Sequence, residues 1–356
     1  MQKNTLLDIL KFYINGDEQS LCPSFDGWSN EDWVSLMKLS TKQGVSAIVY
    51  DTISDKINNS QISRGVKLNW ALQSEQIERR TRQQRETAED IASIWDKKGI
   101  KSVVLKGIGL SPYYPTPWLR ECGDFDCYLF NDYDKGIDIV LSEGGAFLHK
   151  DYKHAQLRFK KLAIEVHKHF TSYRGEQAKH QLENDLHKLV KIETCKPIAN
   201  GSKILSATPT FNACFLLYHT LFHFLFESVT LRHILDWVLY IKAEQKNIDW
   251  DYVVSFCKRY KLIHFAEALN AIALHHFGIE LNTPIANQSI YRDRVMCDIL
   301  NENEGVSNKS GWSRRIQLLK NTIKTRWKYE LIESTFTKET VKRAFYFIFS
   351  KDELME

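Results

Sequence analysis

The segment Gly123-Asp124-Phe125-Asp126-Cys127-Tyr128-Leu129-Phe130 sets two carboxylates two residues apart in an otherwise apolar run. In a strand, side chains two apart face the same way, so Asp124, Asp126 and Tyr128 share one face while Phe125, Cys127 and Leu129 turn to a core. Two carboxylates on one exposed spot, with no cation fixed beside them by the local sequence, repel each other unless a hard divalent ion lies between them. Mg²⁺ is the natural candidate. An ordinary Asp-x-Asp at a strand edge explains these residues equally well when they are taken alone.

Ala163-Ile164-Glu165-Val166-His167-Lys168-His169 repeats the alternation. Ile164 and Val166 face inward, which leaves Glu165, His167 and His169 together. A third carboxylate from a neighbouring strand is what two-metal phosphoryl transfer requires, because it holds the ion that activates the attacking hydroxyl. His167 is expected to orient Glu165 or to touch substrate. Upstream, Val103-Val104-Leu105-Lys106-Gly107 reads as an apolar strand running into Lys-Gly before a short helix through Tyr113 or Tyr114. Gly107 lets backbone approach a phosphate, the unpaired N–H groups of a helix start favour an anion, and Lys106 adds a point charge. The ordinary meaning of an isolated Lys-Gly is a turn with a solvated lysine. Arg120, four residues before Asp124, could grip triphosphate oxygens or balance the carboxylates with its forked guanidinium.

Other clusters read more plainly. His149, His154, His167 and His169 crowd one stretch and could be imagined with Glu165 as a zinc or iron site, but no HExxH or three-ligand spacing supports it. His219 and His223 stand at i, i+4 on a strongly apolar helix, as core histidines do. Arg232 and Asp236, also at i, i+4, read as a helical ion pair. Arg314, Arg315, Lys320, Lys324, Arg326 and Lys328 surround Ile316, Leu319 and Ile323, the pattern of an amphipathic helix with a solvated basic face. RNA or an anionic membrane is its sharper reading.

The elements that must position these residues follow from periodicity. Residues 1–98 read as a helical N-terminal region, with a long polar helix from about Gly65 to Lys98 stopped at Gly99. Residues 99–200 read as an α/β core with strands near 102–105, 124–130, 155–160 and 162–168 and a turn at Lys160-Lys161. Residues 201–356 read as a helical C-terminal domain, with helices at 211–226, 231–242, 250–260 and 263–277 and a polar linker at 301–311.

The order Leu105-Lys106-Gly107, Tyr114-Pro115, Leu119-Arg120, Gly123-Asp124-Phe125-Asp126 and Glu165-Val166-His167 resembles the poorly characterised bacterial nucleotidyltransferase family of the polymerase-beta-like superfamily. The resemblance spans about residues 85–240 and takes in His219, His223, Leu231-Arg232 and Asp236-Trp237. It implies an α+β fold with a small mixed sheet flanked by helices, two Mg²⁺ ions, and transfer of a nucleoside monophosphate from an NTP to a hydroxyl with release of pyrophosphate. It matches Asp124 and Asp126 to the metal-binding aspartates and Glu165 to the third acid. Ile108 follows Gly107 where the superfamily usually carries serine, so the hydroxyl that would meet the triphosphate is missing and Lys106 would stand in for it. Two rival readings follow: a catalytically weak or inactive nucleotide-binding protein, and a toxin-like enzyme acting on tRNA, for which the basic segment is the only hint.

Chain-wide properties bound the rest. The 356 residues suit two or three packed modules. With 43% hydrophobic and 26% charged residues the composition is that of an ordinary globular protein. A net charge of +4, from 48 basic against 44 acidic residues, gives no global field for nucleic acid. Seven scattered cysteines without a CxxC pair argue against a disulfide framework and a thiolate zinc site. Met1 to Tyr13 lacks the apolar core of a signal peptide, and the run from Phe211 to Phe226 is broken by polar residues before it could span a bilayer. A cytoplasmic protein with no membrane span is expected. The sequence leaves open which NTP and acceptor are used, whether small molecule, protein or RNA, and the oligomeric state.

Overall fold

A computed structural model describes residues 2–16, 21–60, 62–171, 177–301 and 325–334. The chain opens with four helices, α1 (Gln2–Asn15), α2 (Asn30–Lys42), α3 (Ser46–Asn59) and α4 (Arg64–Lys97). A reciprocal cap starts α2: the Ser29 hydroxyl accepts from Asp32 N–H, and the Asp32 carboxylate accepts from Ser29 N–H. Helix α4 ends as the sequence predicts. Gly99 takes φ +80, its N–H donates to the Asp96 carbonyl, and Ile100 N–H reaches back to the Trp95 carbonyl. Only glycine adopts that left-handed turn cheaply.

Among the described residues seven strands follow: β1 (Ser102–Val104), β2 (Asp124–Tyr128), β3 (Ala146–Lys150), β4 (His154–Phe159), β5 (Leu162–His167), β6 (Lys196–Pro197) and β7 (Ile204–Ser206). They form one mixed sheet in the order β3-β4-β5-β2-β1-β7-β6. Helix α5 (Tyr133–Ser142) connects β2 to β3, and α6 (Gln177–Leu189) follows β5. The C-terminal part holds α7 (Pro209–Phe226), α8 (Leu231–Glu244), α9 (Trp250–Arg259), α10 (Ile263–Phe277) and α11 (Arg292–Asn301). The fold is therefore α+β, with helical regions before and after a small mixed sheet. Among the described residues no helix is long and apolar enough to cross a membrane.

Parity in the strands decides which face does what. Phe125, Cys127, Ile164, Val166, Ala155 and Leu157 are buried in one core with Ala88, Ile91, Ala92 and Trp95 of α4. Asp124, Asp126, Glu165 and Gln156 therefore turn to the opposite face, where Val103 and Tyr128 join the larger core that contains α7 and α8. The alternation read from sequence is the one that sorts the sheet.

Three strands escape the periodic reading. β3 is exposed at all five positions and shows no apolar alternation, while β6 and β7 are two and three residues long, too short to carry a period. The short helix expected after Lys106 is instead a pair of 3-10 turns, Gly107–Gly109 and Ser111–Tyr113. Pro112 lacks an N–H, and Pro115 disfavours helical backbone at Tyr114, so a full helix cannot propagate. The polar stretch 302–311 and most of the basic segment lie outside the described residues. Lys328 is within them and departs from the expected solvated face: it is buried, donating to the Phe224 carbonyl at 2.9 Å.

Candidate active site

Strands β2 and β5 run parallel, with Asp124 opposite Ala163, Asp126 opposite Glu165 and Tyr128 opposite His167. On the other side of β5, antiparallel β4 sets Gln156 beside Glu165 and His154 beside His167. β1 lies antiparallel to β2, and Leu105 N–H donates to the Asp126 carbonyl, which delivers the next residue, Lys106, to the Asp126 side chain. Four strands thus feed one spot.

Asp126 is fully buried. Its Oδ1 accepts from His167 Nε2 at 2.9 Å, and its Oδ2 lies 3.1 Å from Lys106 Nζ, an ion pair without the geometry of a directed hydrogen bond. Glu165 accepts from Gln156 Nε2 at 3.0 Å and stands 3.5 Å from His154 Nε2 and 3.8 Å from His167 Nε2. One ligand atom from each of Asp126, Glu165 and His167 falls within 4.8 Å of the others. Asp124 sits at the partly exposed rim.

The electrostatics are unbalanced. Burial first, then the charges of Asp126 and Glu165, push the Asp124 carboxyl up to about 7 against the pull of Lys106. Burial alone would raise Asp126 too, yet Lys106 and the His167 hydrogen bond hold it well below the usual carboxylate range. Burial works to discharge Lys106, and Asp126, Asp124 and Glu165 outweigh it, so its ammonium is held charged. Burial depresses His167, with its Asp126 contact opposing. Three acids therefore face one paired lysine, Lys106, together with the charge of Lys153, and an Asp126 oxygen lacks a directed hydrogen-bond donor. That donor set fits a hard divalent cation.

Residues 29–278 match the model of a family described as uncharacterised nucleotidyltransferase. The chain belongs to that family. It is accordingly an enzyme of the nucleotidyltransferase class. A crystal structure of ANT(2")-Ia in complex with adenylyl-2"-tobramycin is similar at 13% identity, covering 48% of this chain and 94% of that one, with a TM-score of 0.35. A solution structure of the antibiotic-resistance factor ANT(2")-Ia is similar at 12% identity over 55% of this chain and 97% of that one, with a TM-score of 0.36. No curated protein matches.

Several expectations about this nucleotidyltransferase need correction. The two aspartates are not an exposed pair lacking a cation: Asp126 is fully enclosed and Lys106 neutralises it. Lys106 is expected from sequence at a phosphate and not as Asp126's partner, because that pairing depends on β1 lying beside β2. His167 bonds Asp126 rather than orienting Glu165, a task that falls to Gln156. Gly107 is buried at φ +60, and a Cβ there would meet Cys122 Sγ at 3.0 Å and the Asp124 carbonyl at 3.4 Å. Its glycine identity brings Lys106 against β2. Ile108 is core, so no hydroxyl stands at that turn.

Arg120 is elsewhere. Its buried guanidinium forks onto Asp236, Nε to Oδ1 at 2.9 Å and Nη2 to Oδ2 at 2.7 Å, and the Tyr114 hydroxyl donates to the same Oδ1 at 2.7 Å. The helical pair Arg232–Asp236 therefore does not form, and Arg232 donates to the Glu121 carbonyl instead. His169 leaves the Glu165 face, since β5 ends at His167 and the chain turns to place His169 Nδ1 3.6 Å from Glu183. His219 is buried as expected, and its Nε2 lies 3.0 Å from His223 Nε2.

Gln156 and Lys153 were missed, and His154 is read from sequence only as a member of an imagined zinc or iron cluster. The signal was present for two of them: counting outward from the turn at Lys160-Lys161 sets Gln156 opposite Glu165 and His154 opposite His167. Lys153 has no such signal. Burial lowers its pKa, and the charge of Asp126 resists, which marks it as part of the same field.

Proposed function

We propose that this chain moves a nucleoside monophosphate from an NTP to a hydroxyl acceptor and releases pyrophosphate, with Asp124, Asp126 and Glu165 holding Mg²⁺. The convergence of three carboxylates on one spot, with a single paired lysine among them, carries the reading. When bound, Mg²⁺ would neutralise phosphate oxygens and lower the pKa of the acceptor hydroxyl. Asp126 enters the site already ionised, and His167 fixes its carboxylate. Lys106 is free to turn its ammonium from Asp126 toward a phosphate once another cation takes its place. Glu165, held by Gln156 at the accessible side of the cluster, receives the acceptor's proton. The acceptor oxygen then bonds to the α-phosphorus, and the bond to pyrophosphate breaks in line.

Residues 99–200 act in this reading as the catalytic core. The helical C-terminal part, whose buried His219 on α7 feels the charges of Lys106, Lys153 and Asp126, selects the acceptor. Incubating the protein with Mg²⁺, a cell extract and each NTP labelled at either the α or the γ position tests it. Label from the α position is expected to enter a product while label from the γ position leaves as pyrophosphate. Transfer of γ-label to the product would make the enzyme a kinase and overturn the proposal.

A further inference from the structure

Next to the carboxylates lies a second cluster that the proposed transfer does not use. Beyond β5 the chain turns His169 toward α6, whose Glu183 and His187 share a face at i and i+4. His187 Nε2 is 3.0 Å from Glu183 Oε1, His169 Nδ1 is 3.6 Å from that same oxygen, and all three ligand atoms lie within 4.8 Å of one another. Four-coordinate zinc with bonds of about 2.0–2.1 Å to nitrogen and oxygen holds its ligand atoms about 3.3–3.4 Å apart. The two measured separations bracket that value. The remaining pair, His169 and His187, lies within 4.8 Å.

Each ligand is already held by a second partner. The Tyr128 hydroxyl meets His187 Nδ1 at 3.3 Å, which leaves Nε2 for the cluster. Tyr152 stacks on His169 at 4.3 Å and 8°, fixing the plane of the ring. Glu183 accepts from the N–H groups of Phe170 and Thr171 and from the Thr171 hydroxyl, each at 2.8 Å. Metal-bound histidines and carboxylates ordinarily have such outer partners, which set tautomer and aim. The side chains of His169 and His187 are 25% and 32% exposed, so an ion has a way in, while Glu183 at 10% does not swing free.

We propose that His169, Glu183 and His187 form a transition-metal site with an open fourth position, zinc being its first candidate, distinct from the carboxylate centre of Asp124, Asp126 and Glu165. Ligand chemistry separates the two. Three carboxylates suit a hard ion that keeps water, whereas two imidazoles and one carboxylate suit zinc and its neighbours. On binding, the ion replaces the proton shared between His187 Nε2 and Glu183 Oε1, so one proton is released. The site ties α6 and the end of β5 to Tyr128, two residues beyond Asp126 on β2, and its open position is left for water.

The test uses the full chain without a histidine tag, stripped with EDTA and dialysed, and does not depend on nucleotidyl transfer. Zinc is titrated in competition with a chromophoric chelator, and Co²⁺ is added in its place to read the absorption bands of a four-coordinate N/O site. One zinc per chain is expected. His169→Ala and His187→Gln are expected to weaken binding by at least about a hundredfold, and Tyr128→Phe by about tenfold, as for an outer partner. Asp124→Asn and Asp126→Asn are expected to bind zinc as the wild type does. His169→Ala keeps the test readable if His187→Gln fails to fold, because its ring is held by stacking and not by the helix hydrogen bonds. Absence of zinc binding, unchanged binding in His169→Ala, or loss of zinc in Asp126→Asn would each overturn the site.

Discussion

Arg120–Asp236–Tyr114 and Lys106–Asp126–His167 are both buried charge clusters in the same motif-rich part of the nucleotidyltransferase, and they are built differently. In the first, both oxygens of Asp236 are matched: Oδ1 takes Arg120 Nε and the Tyr114 hydroxyl, and Oδ2 takes Arg120 Nη2. Burial works against the charge of Asp236, yet Arg120 holds its pKa below the ordinary value. In the second, Asp126 has a partner without hydrogen-bond geometry at one oxygen, and two further carboxylates crowd the spot. A closed cluster joins α8 to the loop before β2. An open one retains repulsion that a proton on Asp124 or a bound cation relieves, which is the usual mark of a site shaped for binding rather than stability.

The comparison is broken most forcefully by neutralising one carboxylate in each cluster. Asp126→Asn is expected to lower nucleotidyl transfer about a thousandfold, the rate equivalent of several kcal/mol of lost charge stabilisation. Asp236→Asn is expected to lower stability by about 3–5 kcal/mol in urea unfolding, because it leaves the Arg120 guanidinium buried and unpaired. Arg120→Lys is not expected to preserve the first cluster, since an ammonium cannot fork onto both oxygens of Asp236. Retained transfer in Asp126→Asn would remove that carboxylate from the chemistry. Retained stability in Asp236→Asn would mean that water reaches Arg120.

The two clusters also differ in how much of them could be read from the chain alone. The alternation in β2 and β5 was enough to put Asp124, Asp126 and Glu165 on one face, because a period of two is a local property. Helices α7 to α10 were legible for the same reason, whereas α11, ten residues long, was not. The depth of Asp126 was not, because it depends on which elements cover that face of the sheet. Arg120 was misplaced because its partner is 116 residues away, and its neighbour in sequence, Asp124, offered a nearer carboxylate. His169 was misplaced because no residue type announces that β5 stops two residues earlier.

Lys106 sharpens the contrast by a smaller effect. If its ammonium passes from Asp126 to a phosphate, Lys106→Ala loses a charge-assisted contact of about 1.5–3 kcal/mol, which is about a ten- to hundredfold loss of NTP affinity by calorimetry. Its removal also strips Asp126 of its counter-charge. The metal-free variant is therefore expected to melt below the wild type, and Mg²⁺ to raise its melting temperature by more than it raises that of the wild type. Equal Mg²⁺ shifts in both proteins would show that Lys106 and the ion do not compete for Asp126.

The smallest effect is in the pH dependence of stability, and its sign separates Asp124 from its neighbours. Asp124 titrates near 7 when folded and near 3.9 when unfolded. Between those values the folded protein keeps a proton that the unfolded chain has lost, so this contribution is complete below about pH 4 and disappears as pH rises through 7. Asp126 has the opposite shift, and its contribution, present above about pH 4, does not change between pH 5 and 8. The depressed histidines His167, His169 and His219 act in the other direction, adding stability as pH rises toward 6.5. A raw melting curve mixes these terms, and a difference between two proteins isolates one. Asn has the shape and charge of a protonated Asp, so in EDTA the Asp124→Asn variant is expected to melt only slightly above the wild type at pH 5 and a few degrees above it at pH 8. Mg²⁺ at pH 8 is expected to raise the wild type alone, by engaging the carboxylate whose repulsion Asn removes. A difference that stays flat from pH 5 to pH 8 would mean that Asp124 is already ionised throughout, and that the open cluster is as well balanced as the closed one.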